Sequence, residues 1–347
     1  MAGAKAKGKV LLVGSVNLPS VADVFKTAGK ILGQRLERIP DGEPGARSGW
    51  ITFNYGGLRV HRAFEPDPDA GLHTGVTLLR LRRDAKDSDL FFGELGYARE
   101  AKGSYLDFKA AQKAGTIPRG CKFQVCLPTP FAVTVAFISA ASQPTAEKMY
   151  EAAMLREIKQ LAASIPHRDL SIQLDICHDV IAWDGRFAFT GGGTKSKDEL
   201  VAAIARLSAA VPRDVELGYH LCYGDFRGRH FVEPQDLGCA VDFANALSGA
   251  VRRKIAWIHM PVPENRADDA YFAPLARRAL HKETELYLGL VHLSDGVAGT
   301  KRRIEAAKKY AKCFGVATEC GMGRKWGASE IPALMRVHAA VAPEAWS

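Results

Sequence analysis

Eight short apolar runs, separated along most of the chain by longer stretches of helical periodicity, limit what this sequence can fold into. They lie at 10–13, 35–39, 122–127, 170–175, 215–222, 255–260, 286–292 and 314–318. Runs of this length suit strands buried on both faces, and apolar residues three or four apart in the intervening stretches suit helices. In 146–163, for example, Met149, Ala152, Ala153, Leu155, Ile158 and Leu161 share a stripe. The stretches 198–210, 270–281, 300–313 and 329–340 behave similarly, with Gly299 or Thr300, and Ser329 beside Glu330, suited to helix starts. This alternation predicts an α/β fold, a single (β/α)8 TIM barrel. Two stretches interrupt it. Residues 52–114 read as an excursion inserted after the second strand, with a short hairpin. Residues 181–197, after the fourth strand, carry Gly191-Gly192-Gly193-Thr194 but lack the Lys and Ser or Thr of a phosphate loop. The expected organisation is a disordered basic tail over 1–9 and a barrel over 10–347.

Composition narrows the partners. A chain of 347 residues that is 47% hydrophobic has ample material for a large core. The net charge of +9 is dispersed outside the short lysine-rich start, and no basic motif interleaved with aromatics appears, so no nucleic-acid partner is expected. No apolar run approaches the roughly 18 residues of a membrane span, and the N-terminus lacks a signal-peptide core. Seven cysteines at scattered spacings read as reduced thiols, which fits a cytoplasmic protein. A small-molecule substrate is the expected partner. The oligomeric state stays open, with a homodimer as one candidate.

Function in such barrels sits at the C-terminal ends of the strands. Those ends carry Ser15, Asp41 and Glu43, Asp175 and His178, His220 and Cys222, His259, His292, Ser294 and Asp295, and Glu319 and Cys320. His220 and Cys222 stand two apart on one strand, so both side chains face the same way. With Cys320 they form the ligand set of an open zinc site. Cys121, Cys126, Cys177, Cys239 and Cys313 read as inert thiols, although Cys177 is near enough to Asp175 to face the same pocket. Trp50, Phe53, Tyr219, Tyr223 and Trp257 lie near the rim as packing or pocket residues, and Tyr223, next to Cys222, is the expected substrate contact among them.

Six segments together resemble the catalytic C-terminal barrel of the cobalamin-independent methionine synthase family. They are Val13-Gly14-Ser15, Asp41-Gly42-Glu43, Leu127-Pro128-Thr129-Pro130, Gln173-Leu174-Asp175, Tyr219-His220-Leu221-Cys222-Tyr223 and Glu319-Cys320-Gly321-Met322-Gly323-Arg324-Lys325. The resemblance implies zinc as cofactor, held by His220, Cys222 and Cys320. It implies that Ser15, Glu43 and Asp175 hold the amino-acid part of a thiol substrate. His259 stands where the family has a glutamate ligand, so it is the implied fourth metal ligand. Ser294 stands where the family has a proton-donating histidine, and a folate-stacking tryptophan after the third strand is missing. A divergent member with a rebuilt donor site is the implied identity.

Two catalytic classes follow. One is zinc-dependent transfer of a methyl or other alkyl group to or from a thiol, without a folate donor. The other is a zinc-dependent lyase or hydrolase acting on a small organic molecule, aromatic ones included. His292, Ser294 and His178 are the expected catalytic residues beside the metal. A non-catalytic zinc barrel would have no need for so many titratable groups at one rim.

Overall fold

The computed structural model describes residues 8–70, 72–73 (backbone only), 75–186, 195–225 and 228–346. Seven strands form one parallel sheet: β1 (Arg38–Pro40), β2 (Lys122–Pro128), β3 (Leu170–Ile176), β4 (Glu216–Leu221), β5 (Trp257–Pro261), β6 (Glu285–Gly289) and β7 (Gly315–Val316). They pair in chain order. Every residue of β3 and β5 is buried, which explains why these strands read as continuous rather than alternating apolar runs.

The sheet is curled, as in a TIM-like barrel that is not fully closed, and departs in one way from the expected eight strands. Val10 makes isolated parallel bridges to Leu36 and to Val316, so the first apolar run joins the two sheet edges without forming a strand. The neighbours are short: β1 has three residues and β7 two, which leaves little ladder to extend. Leu11 and Val13 turn inward and pack with Trp257, Tyr287 and Ala317 to fill the barrel. Gly218 makes this possible, because a Cβ there would lie 1.9 Å from the Trp257 ring.

Eight longer helices surround the sheet: α1 (Val21–Leu32), α2 (Tyr97–Lys113), α3 (Pro130–Phe137), α4 (Gln143–Ser164), α5 (Lys197–Ala210), α6 (Gly238–Ala250), α7 (Gly296–Lys308) and α8 (Ile331–Trp346). Packing runs from α8 to α1, α2, α4, α5 and α6, and α7 packs back on α8. Local chemistry fixes several starts. Ser20 Oγ accepts the Asp23 N–H at the head of α1, and Ser196 with Glu199 forms a capping box on α5. Helix α7 begins before the expected Gly299 or Thr300; Thr300 is its fifth residue, and Oγ1 donates to the Gly296 carbonyl at 2.7 Å.

Residues 52–114 contain a short helix (Tyr55–Arg59), an antiparallel pair (Phe64–Pro66 with Leu79–Leu81), a second small pair (Leu72–His73 with Val76–Thr77) and α2. Helix α2 packs between α1 and α4. Of the basic start, residues 1–7 lie outside the described residues, but Lys9 is held by Glu37 at 2.5 Å and by Glu285. The glycine run 191–193 also lies outside the described residues. No described helix is long and apolar enough to cross a membrane.

Candidate metal centre and its cavity

Parallel pairing places Asp175 of β3, His220 of β4 and His259 of β5 in one register row at the C-terminal end of the barrel. The Cys222 N–H donates to the Ile176 carbonyl at 3.0 Å, continuing the ladder past β4. Cys222 therefore keeps the side of the sheet that His220 has. Cys320 arrives from the loop after β7, where Thr318 Oγ1 donates to the Cys320 carbonyl at 2.6 Å. One ligand atom from each of His220, Cys222 and Cys320 lies within 4.8 Å of the others, and the two sulfurs are 3.9 Å apart.

The surroundings keep these groups uncharged. Burial and the adjacent His259 push the His220 imidazole well below its ordinary range. The Cys177 thiol and burial push Cys222 well up, and Cys222 and burial do the same to Cys320. A bare imidazole nitrogen and two thiols that a dication would strip of protons suit zinc. The donor set therefore fits the metal.

One cavity joins this cluster to a second group. Its walls include Ser15, Glu43, Trp50, Asp175, Cys177, Asp225 and Arg324. Asp175 accepts from Gln173 Nε2 at 2.8 Å and from Trp50 Nε1 at 3.1 Å. Burial outweighs these bonds and raises its carboxyl to about 7. Burial, and then Asp175 itself, raises Glu43 to about 8. Arg324 offsets both, and its Nε donates to Ser15 Oγ at 3.3 Å. Gly321 lets this corner close, because a Cβ there would lie 2.3 Å from Ser15 Oγ.

Backbone strain collects at the same place. Glu43 and Trp50 have φ of 54° and 59°, in the left-handed region that costs a side-chain-bearing residue about 1–3 kcal/mol. Asp41 holds the Glu43 turn: Oδ1 accepts the Glu43 N–H at 3.0 Å, and Oδ2 accepts from Ser104 and Arg47. The strain aims a carboxylate and an indole into the cavity.

The cavity gathers Ser15, Glu43, Asp175, His220, Cys222 and Cys320, but not the other expected site residues. His259 is outside the cluster. Its Nδ1 lies 2.8 Å from His220 Nδ1 and its Nε2 lies 3.0 Å from the Thr318 carbonyl, so it stands behind His220. His178 is buried and stacks at 6.4 Å against Trp50. His292 is buried, with Nε2 donating to the Val262 carbonyl at 2.9 Å. Its strand ends at Gly289, three residues earlier than the apolar run suggested, and the intervening turn carries the ring away. Ser294 donates to Glu264 on the surface, where Lys325 also binds at 3.0 Å. Tyr223 is buried and does not line the cavity. Trp50, read from the sequence as packing or pocket, lines the wall, and Arg324 and Asp225 are wall residues that strand-end reasoning left unassigned. Only Arg324 had a usable signal, as the first cation after the Cys320-Gly321-Met322-Gly323 turn.

No family model and no curated protein matches this chain. Solved structures do. A proposed vitamin-B12 independent methionine synthase from Listeria monocytogenes aligns over 99% of this chain and 100% of its own, with a TM-score of 0.60 and 12% identity. A B12-independent methionine synthase from Shewanella sp. W3-18-1, solved in complex with selenomethionine, aligns over 97% of each chain, with a TM-score of 0.59 and 11% identity. At such identities the likeness establishes a shared fold.

Proposed function

We propose that this chain is a zinc enzyme that transfers a methyl or other alkyl group to or from the thiol of a small amino-acid-like substrate, using a donor other than folate. The observation that carries the reading is the shared cavity. It sets His220, Cys222 and Cys320 beside Ser15, Glu43, Asp175 and Arg324. The first three residues would hold the metal. When bound there, zinc would lower the pKa of a substrate thiol from its free value of about 8.5 and present it as thiolate. The remaining groups suit the two ends of an amino acid. Glu43 and Asp175 would accept from an ammonium group, and that cation would draw both carboxyls back towards the ionised form. Arg324 and Ser15 would take the carboxylate. The neighbours of the same fold include a methionine synthase solved with selenomethionine, a ligand of this class.

A zinc-dependent lyase or hydrolase is the second reading. It is favoured by the paired carboxyls of Glu43 and Asp175 on one cavity wall, which burial raises to about 8 and about 7, where a carboxyl can both give and take a proton. Turnover with and without an added thiol acceptor separates the two. Strict dependence on the thiol supports transfer, and full turnover in its absence overturns it.

A further inference from the structure

The hydrogen bonds behind the three converging donors define the role of each ring nitrogen. His259 Nε2 lies 3.0 Å from the Thr318 carbonyl, which can only accept, so this nitrogen carries the proton. In the neutral ring, Nδ1 is then an acceptor. His220 Nδ1, 2.8 Å away, must be the donor, and His220 Nε2 is left bare. The chain of contacts continues beyond Thr318, because its hydroxyl donates to the Cys320 carbonyl at 2.6 Å. Hydrogen bonds thus run from His220 on β4, through His259 on β5, to the segment that carries Cys320.

We propose that His259 is a positioning residue and not a metal ligand: it locks His220 in the tautomer that offers Nε2 to the metal and ties that ring to the Cys320 segment. The inference rests on the metal-site reading above. It has a chemical consequence. The protein supplies one neutral imidazole and two thiolates, whose charges balance a dication, and a coordination position is left for the substrate thiol. A ligating carboxylate would have filled that position and added a charge. Ligand orientation by such an outer partner is commonly worth about 10–100-fold in metal affinity.

The test uses cobalt(II) as the probe on the full chain. In the wild-type protein, proton NMR should show one hyperfine-shifted imidazole N–H, from His220 Nδ1. Two such signals would overturn the inference. His259→Leu should weaken cobalt affinity by about 10–100-fold while leaving the thiolate-to-cobalt and d–d absorption bands in place. His259→Asn, whose carbonyl can accept from His220 Nδ1, should recover most of the affinity. A shifted band pattern in His259→Leu, or unchanged affinity, would contradict the proposal. Should His259→Leu fail to fold, the wild-type N–H count still decides. Absence of cobalt uptake by the wild-type protein overturns the metal-site reading itself, and this inference with it.

Discussion

The two ends of the barrel each gather ionisable groups and treat them in opposite ways. At the N-terminal end Arg38 lies over Trp257, 4.2 Å from its ring centre, with Glu216 at 2.7 Å, Glu37 at 3.1 Å and the Tyr287 hydroxyl at 3.1 Å. Burial works against the Glu37 carboxylate there, but Lys9 and Arg38 outweigh it and hold it below its usual range. At the C-terminal end Glu43 and Asp175 share one guanidinium, Arg324, and burial raises both. The N-terminal cluster is complete within the chain. On the proposed function, the C-terminal cluster would be completed from outside, by a metal at the thiols and a charged substrate at the carboxyls. The counter-charge differs: cations outweigh burial at Glu37, whereas burial outweighs Arg324 at Glu43 and Asp175.

The contrast can be broken experimentally. The largest expected effect is at the closed end. Arg38→Leu leaves Glu216 with Lys122 alone and Glu37 with Lys9 alone, and should cost about 3 kcal/mol in urea unfolding, the low end of the penalty for breaking a buried pair. Loss of less than 1 kcal/mol would mean that the cluster is not structural. At the open end Arg324→Met should leave the unfolding midpoint nearly unchanged. It should weaken substrate binding by about 1.5–3 kcal/mol, roughly 10–100-fold in KM, by removing a charged hydrogen bond. A stability loss without a KM change would reverse the assignment of the two ends.

Stability against pH sharpens the comparison. In the metal-free protein Glu43 holds its proton up to about 8, whereas the unfolded chain releases it near 4.5. The folded state therefore binds more protons between these values, so this group's contribution is fully present below 4.5 and is lost as pH rises towards 8. Glu43→Gln should flatten that slope in denaturation curves recorded from pH 4.5 to 8. Glu37 has the opposite sign, since its lowered value gives stability that is present above 4.5 and lost on acidification. An unchanged profile in Glu43→Gln would show that the carboxyl is ionised in the fold. The smallest effect is expected at Ser294, which faces Glu264 on the surface. Ser294→Ala should change stability by no more than about 0.5 kcal/mol and turnover by less than twofold. A larger loss of turnover would return Ser294 to the reaction.

The sequence made the barrel legible because parallel strands are buried on both faces, so β3, β4 and β5 stand out as apolar runs. Where pairing is minimal the signal misled: Val10 bridges two edges without a strand, and β7 is only two residues long. In the site, His220 and Cys222 were legible because period-two geometry holds up to the end of a strand. Beyond it, direction is lost. His292 and Ser294 follow β6 by three and five residues, and neither reaches the cavity. Arg324 and Trp50 lie in loops whose course depends on tertiary contacts such as the Arg324–Ser48 and Trp50–Asp175 hydrogen bonds, and no local pattern specifies these.

The proposed function requires a metal at His220, Cys222 and Cys320 at the open end of the barrel. Metal analysis of the purified protein, alongside His220→Ala and Cys320→Ser variants of matched fold, tests it most directly. One zinc per chain is expected in the wild-type protein, with its loss in both variants. Full zinc retention in both variants would contradict it.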